Sequence, residues 1–203
     1  MNIVFITITM FFSTAIFAAG GGAMQSAPQP VVKKTPTERA IDSYNAGINI
    51  RDKAWKYQRR AAVESDPKKA AKLIRKADKQ FAKAVKKFRR ATRTEPRLYQ
   101  AHASLGYVLK QTGDFTGAMA AYEHCLKLRP NYTPAIEYRA EAYLALGEID
   151  NVRQAYKQLA KIDPEKADEL EQAIRAWLKN PPADLDPGLV DAMRSWVTTN
   201  ISS

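Results

Sequence analysis

Two histidines, one cysteine and a pair of closely spaced carboxylates are the residues of this chain best suited to catalysis or metal binding. Cys125 follows His124 directly, but neighbours on a helix point about 100° apart, and no other ligand stands at metal-binding spacing. Neither a zinc centre nor an activated thiol follows. No serine or cysteine has a positionable histidine and acid, and no glycine-rich loop could cradle a phosphate. Glu137 and Glu141 lie one helical turn apart without a nucleophile or a partner for proton transfer. The expectation is a non-enzymatic chain with no catalytic residue, no cofactor, no metal and no small-molecule substrate. Cys125 is expected to be a buried, inert side chain, compatible with an oxidising compartment because it has no partner for a disulfide. His102 is expected to pack.

The elements that would position these residues recur. Phe81, Phe115 and Ile149 mark a period of 34 residues; so do Ala84, Ala118 and Val152, then Phe88, Tyr122 and Tyr156, and Pro96, Pro130 and Pro164. Between Tyr99 and Pro130, Leu105, Val108 and Leu109, then Ala118, Tyr122, Cys125 and Leu126, keep the three-to-four spacing of amphipathic helices. Two helices per period follow, turning at Gly113 and Gly147, where positive φ is tolerated, with Asp114 or Glu148 opening the next helix. Small residues at Gly106 and Ala140 admit a close neighbour, and Tyr122 and Tyr156 fill the space between repeats. A period of this length means stacked helical hairpins.

The residues that carry this pattern, Leu105-Gly106, Gly113-Asp114-Phe115, Ala118, Tyr122 and Pro130, then Ala140, Tyr143, Gly147, Tyr156 and Pro164, closely resemble the tetratricopeptide repeat. The resemblance implies an all-α fold, a tetratricopeptide-type helical-hairpin solenoid that binds other proteins. It also implies a concave groove lined by Gln100, Ala103, Tyr107, Lys110, Glu137, Glu141, Leu144 and Ala145, where the two glutamates would meet a cationic ligand. The carboxylate-clamp subtype of the family wants Lys and Asn where Tyr107 and Glu141 stand, so a chaperone C-terminal tail is not the expected ligand.

Charge is as uneven as the repeat is regular. Residues 51–97 hold 18 Lys and Arg against 5 Asp and Glu, a net of +13 in a chain whose total is +11. Here the pattern departs from the family: Tyr44-Asn45-Ala46-Gly47 resembles the first helix of a repeat and Phe81 to Pro96 the second, with about 25 extra residues between them. The first hairpin is therefore elongated. Ala70, Ile74, Ala77, Phe81, Ala84, Phe88 and Ala91 form a seam of alternating four- and three-residue steps, and Ile41, Tyr44, Ile48, Trp55 and Ala62 a looser one. Ser65-Asp66-Pro67 makes the turn, Asp66 capping a helix that opens on Pro67. Two helices of about 28 residues would reach roughly 40 Å. Lys68, Lys69, Lys72, Arg75, Lys76, Lys79, Lys83, Lys86, Lys87, Arg89 and Arg90 take most outward positions. Such a run is either a solvated face or an arm that draws an acidic protein or an anionic membrane surface. Membrane contact would be shallow, for lack of outward Trp and Leu.

At the N-terminus, Ile3 to Ala18 is almost wholly apolar, and small residues follow at Ala18, Ala19 and Gly20. This reads as a secretory signal over residues 1–19, with a retained membrane anchor as the alternative; the apolar run is short of the ~20 residues of a spanning helix. A periplasmic protein is expected, which makes nucleic acid an unfavoured partner, the more so because no stacking aromatics interleave with the charges. Residues 20–36 read as a flexible linker, 37–98 as the elongated basic hairpin, and 99–164 as two regular repeats. Residues 165–203 supply capping helices: Leu170, Ala173, Ile174, Trp177 and Leu178 cover the last repeat. A short helix from Pro187 to Thr198, with Leu189, Met193, Trp196 and Val197 on one side, either packs back or docks on a partner. The function expected is a protein-binding scaffold or adaptor of the cell envelope. The alternatives are an adaptor held electrostatically to an anionic surface and an accessory subunit of an envelope enzyme complex.

Overall fold

Helix boundaries follow local signals that can be traced residue by residue in a computed structural model, which describes residues 33–183 and 185–201. The predicted signal segment, residues 1–19, and most of the predicted linker lie outside the described residues. One compact unit, Lys34–Ser203, holds eight helices among the described residues and no strand. None of these helices is long and apolar enough to cross a membrane.

α1 (Pro36–Ala62) opens on a capping box. The Thr35 hydroxyl accepts the Glu38 N–H at 3.2 Å, and Glu38 accepts the Thr35 N–H at 2.7 Å, so two end donors that a helix leaves unpaired are satisfied together. α2 (Pro67–Thr94) opens as the sequence predicts, with Asp66 accepting the N–H groups of Lys68 and Lys69 at 2.8 and 3.2 Å. The two helices run antiparallel over 27 and 28 residues, and Thr37 at the start of α1 donates to Glu95 just past the end of α2 at 3.1 Å. Four shorter helices follow: α3 (Tyr99–Gln111), α4 (Phe115–Leu128), α5 (Thr133–Leu146) and α6 (Ile149–Ile162). Gly113 and Gly147, at φ +81° and +73°, turn the second and third hairpins. α7 (Pro164–Lys179) is capped by Asp163, whose other oxygen accepts from Thr133 at 2.6 Å and so ties the starts of α5 and α7 together. α8 (Pro187–Asn200) closes the chain.

One contact recurs between the long hairpin and the hairpin that follows it. A Cβ built on Gly106 would lie 2.5 Å from the Tyr122 ring, and one built on Gly47 would lie 2.6 Å from the Phe88 ring. Phe88 and Tyr122 are one 34-residue period apart, whereas Gly47 and Gly106 are 59 apart. The same glycine-against-aromatic packing therefore occurs in both hairpins, and the extra residues extend the far end of the first. Gly106→Ala should cost about 1–2 kcal/mol, since the fully buried ring cannot retreat and the helical preference for Ala recovers only part of the overlap. Urea denaturation would show it; an unchanged midpoint would mean that the two helices can separate freely.

The seam is corrected in two places. In α1 the buried residues are the small ones, Ala40, Ser43, Gly47 and Ala54. Ile41 and Ala62 are exposed, and Tyr44, Ile48 and Trp55 only half-buried. Close helix packing selects small side chains at the line of contact and pushes bulky ones to its flanks. In α2, Ala77, Phe81, Ala84, Phe88 and Ala91 are buried as expected, but Ala70 is half-buried and Ile74 is 50% exposed. Near that level of the hairpin α3 ends, at Gln111, which accepts from Gln58 at 3.2 Å.

Two apolar clusters hold the stack. Phe81, Phe88, Val108, Tyr122 and Cys125 anchor the first; Ile136, Leu159, Leu170, Ile174 and Met193 anchor the second, with Leu126 packed against both. α8 joins the second cluster through buried Met193 and Val197. Trp196 meets Tyr156 edge-on at 5.4 Å, and Arg153 donates to the Ala192 carbonyl at 2.6 Å. Of the two roles open to this helix, packing back is the one seen, although Leu189, placed on its inner side from sequence, is exposed.

Candidate functional site

The first helices of successive hairpins, α1, α3, α5 and α7, are linked by one continuous chain of polar and aromatic contacts. The Trp55 indole of α1 donates to the Tyr107 hydroxyl of α3 at 2.6 Å, with the rings edge-on at 5.5 Å. Arg51 lies 4.1 Å over the Trp55 ring. Tyr107 in turn meets Tyr138 of α5 at 5.0 Å. Lys110 stands over both tyrosine rings at 5.5 and 5.9 Å and pairs with Glu141. Glu137 lies 3.4 Å from Lys166 of α7 as an ion pair without hydrogen-bond geometry, and Lys166 also binds Glu169 at 2.5 Å.

The groove inferred from sequence is therefore largely filled by the protein itself. Ala103 and Leu144 are core residues rather than groove surface, and Glu137 is only 3% exposed. Gln100, Tyr107, Lys110 and Glu141 are half-buried and remain on the face, the last two already paired. Sequence reasoning missed Arg51, Trp55, Tyr138 and Lys166 as members of this face. Trp55 was legible as part of an apolar stripe, but its partner 52 positions away has no signature at any helical spacing.

Burial sets the ionisation of the residue types singled out from the sequence. Burial pushes the Cys125 thiol up to about 11, so it stays protonated. The His102 ring, lowered first by burial, holds Nε2 2.9 Å from the Pro96 carbonyl and stacks on His124 at 4.1 Å. Among the described residues no group of three metal-ligating side chains gathers. Glu137 is raised to about 7, first by burial and then by the charge of Glu141, against the opposing pull of Lys166. Tyr107 is likewise raised by burial, to about 12.

The basic residues named from sequence, Lys68, Lys69, Lys72, Arg75, Lys76, Lys79, Lys83, Lys86 and Lys87, are all exposed on α2. Only two cations of α2 make ion pairs among the described residues: Lys69 with Asp66 at 3.9 Å and Arg89 with Asp114 at 3.8 Å. Both are long, exposed pairs, the kind that contributes little.

Residues 109–178, from the end of α3 through nearly all of α7, match the tetratricopeptide repeat family. Together with the repeated hairpins, the match is decisive. The chain carries tetratricopeptide repeats over this segment. No curated protein matches it. The match begins beyond the elongated hairpin, where the tetratricopeptide spacing becomes regular. Such repeats suggest a protein–protein interaction scaffold.

Proposed function

We propose that this repeat protein is a non-enzymatic scaffold of the cell envelope, which holds a protein partner against the face shared by α1, α3, α5 and α7 while the basic hairpin draws in anionic partners. The observation that carries the reading is the chain of contacts across that face. Trp55, Tyr107 and Tyr138 are amphipathic side chains held in place by a hydrogen bond, ring contacts and the Lys110 ammonium over the tyrosine rings. Aromatic groups fixed in this way lose little entropy on binding, and they are the residue types that anchor interfaces. The ion pair Lys110–Glu141 ties α3 to α5 across this face.

Tyr107→Ala combined with Glu141→Gln tests the reading. Proteins captured from envelope extract by the parent should be lost with this variant at high salt, where attraction to the hairpin is screened. Retention of every captured protein would remove the face from the function.

Placement in the envelope rests on the apolar run Ile3 to Ala18 followed by small residues. Protein recovered from envelope should begin within a few residues of Ala19 or Gly20 and be released by osmotic shock. Material that keeps Met1 and sediments with membranes would replace the signal reading with an anchor.

A further inference from the structure

Plotted at 100° per residue, eleven side chains of α2 fall within one arc about 120° wide: Lys68, Lys69, Lys72, Arg75, Lys76, Lys79, Lys83, Lys86, Lys87, Arg90 and Arg93. Thr94 at the end of the helix is the one other residue in that arc, and Asp78, the only carboxylate of α2, lies outside it. The strip runs for roughly 38 Å, with successive cations never more than four residues apart, so neighbouring charges stand within one Debye length of each other. Like charges at these spacings destabilise a helix. A surface that serves solubility alone mixes both signs. The repulsion here is tolerated because the opposite side of α2 is locked against α1 and α3 by Ala77, Phe81, Ala84 and Phe88.

We propose that this strip docks on a phospholipid bilayer rich in anionic headgroups, with α2 lying along its surface. The inference rests on the reading of the hairpin as an anion-drawing arm and names the anion. A protein interface has an apolar core inside a polar rim, and the strip has no apolar residue within its arc. Eight of the eleven cations are lysines. Their mobile point charges suit a fluid array of phosphates, whereas planar, register-specific recognition favours arginine. The straight helix reaches many headgroups at once, and the absence of aromatic residues from the arc keeps the contact electrostatic and shallow.

The test is co-sedimentation of the full chain with vesicles of phosphatidylglycerol in phosphatidylcholine, and with vesicles of phosphatidylcholine alone. Two variants of equal net charge are compared with the parent: Lys72, Lys79, Lys83 and Lys86→Gln on the strip, and Lys127, Lys157, Lys161 and Lys179→Gln away from it. All eight lysines are exposed, and circular dichroism checks that both variants fold. The parent should bind the anionic vesicles alone and release them as salt is raised from about 50 to about 500 mM. At roughly five-fold per charge, the strip variant should bind several hundred-fold more weakly, and the control should stay within a few-fold of the parent. Equal losses in the two variants would overturn the proposal, because net charge alone would then suffice. Poly-aspartate and duplex DNA complete the test. Binding to either in preference to vesicles overturns the lipid assignment and leaves the anion-drawing arm standing; binding to none of these anions overturns both.

Discussion

Tyr122→Ala should lower the unfolding free energy by about 3–5 kcal/mol, the scale of aromatic truncations in a closed core. The ring is fully buried, pressed against Gly106 on α3 and 6.5 Å from the Tyr138 ring on α5. It therefore wedges two consecutive repeats, and neither helix can close the gap without losing its place against the next. Tyr122→Phe should behave in the opposite way. The hydroxyl is buried with no hydrogen-bond partner among the described residues, so deleting it removes a desolvation cost and leaves stability unchanged or higher. Urea melts of both variants decide the matter. A loss below ~1 kcal/mol for the alanine variant would show that the ring is not the wedge between repeats.

Stability should fall on the order of 3 kcal/mol as pH rises from about 4.5 to about 7, through one carboxyl group. Glu137 has its folded value raised from 4.5 to about 7, by burial first and by Glu141 second. Below the ordinary value, folded and unfolded chains both hold the proton, so the group adds no pH dependence. Between the two values the unfolded chain releases its proton while the folded chain keeps it, and unfolding is favoured progressively. Above about 7 both forms are ionised, and the penalty stays constant. Glu137→Gln should remove this slope and leave the rest of the profile in place. Denaturation midpoints of parent and variant from pH 4 to 8 measure it. Parallel profiles would mean that Lys166, 3.4 Å away, offsets the burial completely.

The same residue shows why the face was only half legible beforehand. Glu137 and Glu141 could be placed together on one side of a helix, because their spacing is local. That Glu141 would meet Lys110, and Glu137 meet Lys166, depends on how α5 sits between α3 and α7. Ion pairs between helices carry no periodic mark, and the expected open groove proved to be a face with its charges already matched. The basic arm was easier to read, since exposure on α2 follows from the helix period and from one apolar seam.

By itself the sequence determined what repeats or is local. The 34-residue period dictated hairpins, Gly113 and Gly147 dictated where they turn, and Asp66-Pro67 dictated how α2 begins. Each of these depends on a residue and its near neighbours, where steric limits and end-of-helix hydrogen bonds act with the same outcome in any fold. Tertiary structure decided what depends on a distant segment. It set the small residues of α1 rather than its large ones at the line of contact, left Ile74 at 50% exposure where α3 ends, and brought Trp55 to Tyr107. Burial and pairing are properties of two surfaces at once, and a periodic stripe specifies only one of them.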